Sequence, residues 1–315
     1  MSTGDVWNMK AKSTAILKLL LLITLCCFHS SAQASTKDGV VEVPFEFYRN
    51  EIIVQVKVDG RGLYNMMLDT GTDPSAIDLN TAKELGLKLA SVGHQGTGGG
   101  TGVNLAFETK LPSLELGGLA ASNVEALAID LSKTSAALGK PIQGILGHSL
   151  LNRRVVQIDY PKRVVRFYSK SPFPKTAERP NVSRLTTLPF RYHDNILIEG
   201  VSVNGRRMTA NFDTGSNANF QLTPDAVRDL GLEAEVSTAQ VSKSVGYNGV
   251  AENREGKIKS INVGGIIVDE PTVIFFAKGA GRDKKPWGIN IGNAFLKDYV
   301  VTIDYLSKVI TLERP

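Results

Sequence analysis

The sequence predicts an all-β protein with few short helices, built as two homologous β lobes related by pseudo-twofold symmetry. Three observations carry that expectation. The chain has 315 residues, enough for two modest cores. Short runs of alternating apolar and polar residues, separated by Gly-rich turns, recur along it, as strands and hairpins require. It also repeats itself at an offset of 144 to 145 residues, which marks a duplicated unit.

The first 34 residues read as a secretory signal: Lys10 and Lys12 are basic, "LLLLITLCCF" is apolar, and "SAQAS" offers cleavage after Ala34. Met9 is an alternative start. The apolar run Leu19 to Phe28 is short for a bilayer. An exported protein, periplasmic or secreted, is therefore expected, with no stable membrane anchor after cleavage; an uncleaved anchor is the alternative. Leu25, ahead of Cys26, is not the small residue that lipid attachment wants. Cys26 and Cys27 are the only cysteines, so the mature chain is expected to form no disulfide. The segment contributes +2 of the formal charge of +5, leaving +3 on the rest. No dense Lys/Arg face argues for nucleic acid.

The halves then run in parallel. "IIVQVKVDGRGLYNMMLDTG" (52–71) aligns with "ILIEGVSVNGRRMTANFDTG" (196–215). In each, an alternating strand reaches a turn at Asp59-Gly60 or Asn204-Gly205, residue pairs that tolerate positive φ. A second apolar strand then enters Asp-Thr-Gly. Short helices follow, "LNTAKELGL" with Asn80 or Thr81 as expected cap and "LTPDAVRDLGL" with Thr223 as cap and Pro224 next, stopped by Gly86 and Gly231. Two strands around a Gly-Gly turn come next. Each half closes with an apolar strand running to Gly147 or Gly292, a short helix, and a hairpin at "DYPK" or "DYLS". "SKSPFPKTAERPNVSR" (169–184), with three prolines, reads as an extended linker. The expected divisions are a signal at 1–34, a first lobe at 35–168, a linker at 169–186 and a second lobe at 187–315.

A single Asp-Thr-Gly can be a plain turn, its side chains capping the backbone. Two at equivalent points of a duplication allow more. Lobes packed about a twofold axis bring equivalent loops face to face, so Asp69 and Asp213 would share one site. Two adjoining carboxylates hold one proton between them. Such a pair can take a proton from water with its ionised member while the protonated one hydrogen-bonds a substrate carbonyl. Gly71 and Gly215 would let the backbone pass close to the carboxylates. Thr70 and Thr214 could tie one loop to the other, and Thr72 and Ser216 could donate to the carboxylates.

On both "DTG[ST]" sites, and on "ILG" (145–147) and "NIG" (290–292) behind them, the chain resembles aspartic proteases of the pepsin and retropepsin clan from about residue 50 onward. The short lobes resemble bacterial retropepsin-like enzymes in a duplicated single-chain form. The resemblance implies catalysis by Asp69 and Asp213, an inter-lobe grip by Thr70 and Thr214, apolar subsites, and no cofactor or metal. Three departures stand out: no Tyr in the first-lobe loop "GHQGTGGGTG" (93–102), no long pro-segment after Ala34, and no disulfides. The second lobe offers "SVGYNGV" (244–250), with Tyr247, at the matching place.

Gly96, Thr97, Gly98 and Tyr247 are thus the candidate flap residues, a plain surface loop being the alternative. "GTGGGTG" lacks the Gly-Lys-Ser/Thr of a phosphate loop. His94, His148 and His193 show no metal-ligand spacing, and His148 reads as a helix residue rather than a catalyst. Trp287 reads as core, with a subsite wall as the alternative. The expectation is an aspartic-type endopeptidase acting as a monomer on extended polypeptide. Its rivals are a non-catalytic periplasmic peptide- or protein-binding module of the same fold, and a site completed by a second chain.

Overall fold

The structure is a computed structural model that describes residues 36–37, 39–96, 98–172, 184–279 and 281–315. The expected signal segment and most of the expected linker lie outside these residues. Strands dominate, as the alternating patterns require, and the helices are short.

Each half is built round the same crossing. In the first, Glu51–Val58 turns through Asp59 (φ 52) and Gly60 (φ 69) into Arg61–Leu68. Asn204 (φ 49) and Gly205 (φ 81) do the same between Ile196–Val203 and Arg206–Phe212. The strand Gly144–Leu146 then inserts between Arg61–Leu68, to which it is parallel, and Ser75–Asp78, to which it is antiparallel. Ile289–Ile291 occupies the same slot between Arg206–Phe212 and Phe220–Leu222. This slot holds the Asp loops: the Asp69 amide donates to Leu146 O and the Asp213 amide to Ile291 O, both at 3.0 Å.

The lobes share a sheet. Val40–Pro44, Val164–Tyr168 and Val155–Asp159 come from the first half, and Val300–Asp304, Val309–Glu313 and Leu185–Tyr192 from the second. At its centre Gln157 lies opposite Thr302, and its side-chain amide donates to the Thr302 hydroxyl at 3.1 Å. These two residues occupy equivalent places in the repeat, so the pseudo-twofold axis passes between them. Each strand half contributes residues buried to near zero exposure, among them Leu68 and Phe212 just ahead of the two triplets. Burying a side chain of that size stabilises by roughly 1.5–3 kcal/mol, which anchors both loops.

The helix ends follow the expected glycines: Gly86 and Gly231 take left-handed conformations at φ 69 and 70. Thr223 caps Pro224–Leu230 by accepting from the Ala226 amide. The first helix, Leu79–Leu85, departs from expectation. Its cap is Asp78, whose carboxylate accepts from the Asn80 and Thr81 amides, so Asn80 and Thr81 lie inside the helix. A carboxylate at that position also meets the positive end of the helix. Two further helices, Ser132–Leu138 and Glu233–Thr238, have no side-chain cap; the first is stopped by Gly139 at φ 69. No helix among the described residues is long and apolar enough to cross a membrane.

Candidate active site

The two triplets meet across the lobe boundary. Thr70 donates its hydroxyl to Phe212 O at 2.8 Å and its amide to the Thr214 hydroxyl at 3.1 Å. Thr214 returns both bonds, hydroxyl to Leu68 O and amide to the Thr70 hydroxyl, each at 3.0 Å. Both threonines are almost fully buried. Four reciprocal bonds out of water hold the loops in register.

This grip puts Asp69 and Asp213 in contact through a side-chain hydrogen bond. The inner oxygen of each is fixed by its own loop: Gly71 N donates to Asp69 Oδ1 at 2.6 Å, and Gly215 N to Asp213 Oδ1 at 2.9 Å. The glycines are a steric necessity. A Cβ on Gly71 would sit 2.8 Å from Asp213 Oδ1, and one on Gly215 would run into the Asp69 carboxyl. Burial first, then the Asp213 charge, push the Asp69 carboxyl up to about 7, against the pull of the Thr72 hydroxyl and the Gly71 amide. A pair sharing one proton has that signature.

The outer oxygens are held differently in the two lobes. Thr72 donates its hydroxyl to Asp69 Oδ2 at 2.5 Å. Ser216 does not do the same for Asp213, contrary to the expectation from the repeat; its hydroxyl goes to Gln221 Oε1 at 2.9 Å. The donor to Asp213 Oδ2 is instead the Asn290 amide at 2.9 Å, which also donates to Gln221 Oε1 at 2.8 Å. Asn211 in turn donates to Asn290 Oδ1 at 2.6 Å. Sequence reasoning treated "NIG" as equivalent to "ILG" and so missed this network. The available signal was amide side chains at Asn211, Gln221 and Asn290 where the first half has Met67, Ala76 and Ile145.

That difference makes the first-lobe wall apolar. Ile53, Met67 and Ala76 form a cluster with Ile129 and Leu131, against which Ile145 and Tyr247 pack. Tyr247 belongs to the second lobe, at the tip of the hairpin Gln240–Gly246 and Gly249–Lys257. It arrives there because the two loops interlock. Asn248 N donates to Gly99 O at 2.8 Å, Gly102 N to Asn248 O at 2.7 Å, and the Asn248 side chain to Gly96 O at 3.1 Å. A Cβ on Gly96 would strike the Tyr247 ring, and one on Gly98 would lie 3.0 Å from Tyr247 Cβ. The candidate flap residues Gly96, Gly98 and Tyr247 are therefore in mutual contact; Thr97 lies outside the described residues.

His148 opens the short helix His148–Leu151, stacks on Tyr192 at 3.7 Å, and pairs with Asp73 at 3.4 Å. Tyr192 donates to the same carboxylate at 2.8 Å. These residues join the lobes beside the triplets. Trp287 is buried with Leu197 and Phe276. Among the described residues no group of three or more His, Cys, Asp or Glu could hold a metal ion.

A family model described as aspartyl protease matches the chain twice, over residues 54–150 and 200–293. The chain belongs to the aspartyl protease family, in a duplicated two-lobe form of the retropepsin-like kind. A search of curated proteins returned no significant match.

Proposed function

We propose that the protein is an exported aspartic endopeptidase that hydrolyses extended polypeptides, with Asp69 and Asp213 of one chain forming a complete site. The observation that carries this reading is the hydrogen-bonded carboxyl pair itself, retained in both lobes and fixed by donors on all sides. One carboxylate takes a proton from water as the water oxygen attacks the scissile carbonyl carbon. The other, protonated, hydrogen-bonds the carbonyl oxygen. The tetrahedral intermediate then collapses: the C–N bond breaks, the amine leaves with a proton from the pair, and the free acid remains. No bond to the enzyme forms. The interlocked loops supply a cover that keeps bulk water from the pair during the reaction.

A direct test is digestion of an unfolded protein by the mature chain from acid to neutral pH. Cleavage should be strongest on the acid side and fall as the shared proton is lost near pH 7. Asp69→Asn and Asp213→Asn should each lower the rate by roughly a hundredfold to ten-thousandfold. Equal cleavage by all three would assign the activity to a contaminant. Peptide binding by a wild-type protein that cleaves nothing would favour the binding-module reading.

A further inference from the structure

A third acid lies beside the pair, and the mechanism above has no use for it. The strand Glu51–Val58 pairs with Arg61–Leu68 through Ile53 opposite Met67 and Val54 opposite Met66. Carrying that register two residues further sets Glu51 opposite Asp69, on the same sheet face as Asp69, Ile53 and Met67. Glu51 is only 5% exposed, and its Oε2 is buried with no hydrogen-bond partner. The titratable groups that face it are Asp69, Asp213 and the Tyr160 hydroxyl. Among the described residues no recorded ion pair involves it. Burial, then the two aspartates, hold its carboxyl well above the usual carboxylate range, which favours its protonated form.

Nothing in the repeat demands an acid there, since the equivalent residue of the second lobe is Asn195. A buried acceptor without a donor calls for an explanation. The apolar residues Ile53 and Met67, next to it on that sheet face, suit the alkyl stem of a long side chain whose charged head goes further in. We propose that Glu51 is a specificity-determining residue that selects a lysine or arginine side chain next to the scissile bond. This rests on the protease reading. In the complex Glu51 gives its proton to solvent and its carboxylate receives the cation, so a substrate charge supplies the partner that the fold withholds. This adds a charged subsite to the apolar preference that the family resemblance implies.

The test uses two peptides identical except for lysine or norleucine beside the cleaved bond, the second having the stem without the charge. For the wild type, kcat/KM should favour lysine by roughly tenfold to a hundredfold, the range of a hydrogen bond to a charged group. In Glu51→Gln that ratio should fall to about one, and in Glu51→Asp, which keeps the charge, a lysine preference should persist. The wild-type ratio can by itself overturn the proposal even if a variant folds poorly. Wild-type cleavage of both peptides without a lysine preference overturns the proposal and leaves the protease reading intact, as does an equal loss on both peptides in Glu51→Gln. Cleavage of neither peptide overturns the protease reading and the proposal with it.

Discussion

At the scale of single residues, the two aspartates are chemically distinct although the sequence writes them alike. Asp69 stands against an apolar wall with a hydroxyl donor, and Asp213 against a chain of amides running through Asn290 to Asn211. Asn290→Leu removes the donor shared by Asp213 Oδ2 and Gln221 Oε1 and should lower kcat on one peptide by roughly tenfold, the worth of a hydrogen bond to a charged group. An unchanged kcat would show that the amide does not act on the pair. The triplets, their glycines and their threonines were legible in the sequence, because close approach and inter-loop bonding restrict those positions to a few residue types. The Asn290 network was not. Three amides scattered over 80 residues become a network only when the central strand of each lobe slots between its neighbours. Ser216 shows the converse: the repeat puts its hydroxyl on Asp213, whereas it donates to Gln221.

At the scale of elements, the fold holds its loops by pairing equivalent parts of each half. The threonine grip is the smallest such pairing. Thr70→Val keeps the shape but removes a hydroxyl that both donates and accepts, leaving Phe212 O and the Thr214 amide unpaired in a buried place. That should cost about 1–3 kcal/mol, read as a lower urea midpoint with an unchanged slope; a neutral effect would mean the grip does not hold the lobes. Hairpins and helix stops were legible because Asp-Gly, Asn-Gly and terminal glycines satisfy backbone conformations that other residues resist. The first helix cap is Asp78 rather than Asn80 or Thr81: all three are competent caps, and the strand Ser75–Asp78 runs directly into the helix at Leu79. The interlock of the two loops could not be read, since it depends on Tyr247 crossing to the other lobe.

At the scale of the whole molecule, the acidic cluster couples stability to pH. Asp69 has a folded-state pKa of about 7, above its ordinary value near 4 in the unfolded chain. The folded state therefore binds more protons across that interval, and stability falls as pH rises through it, the loss being complete above about pH 7. Glu51 acts in the same direction. Asp69→Asn should melt at a higher temperature than the wild type at about pH 8, and the difference should vanish near pH 4. A constant difference across that range would mean Asp69 is not raised. The twofold arrangement was legible from the repeat offset alone. Its axis, between Gln157 and Thr302 and between Thr70 and Thr214, needed the shared sheet to become visible.

If one chain supplies both acids of one working site, as proposed, a second chain cannot make good the loss of either. Mixing the Asp69→Asn and Asp213→Asn proteins checks this, with cleavage of a single peptide followed for each variant alone and for the mixture. All three should be inactive beside the wild type, because each chain carries one intact acid in a pair that its own two loops hold together. Wild-type cleavage by either variant alone, or activity restored in the mixture, would show that the site is not completed within one chain.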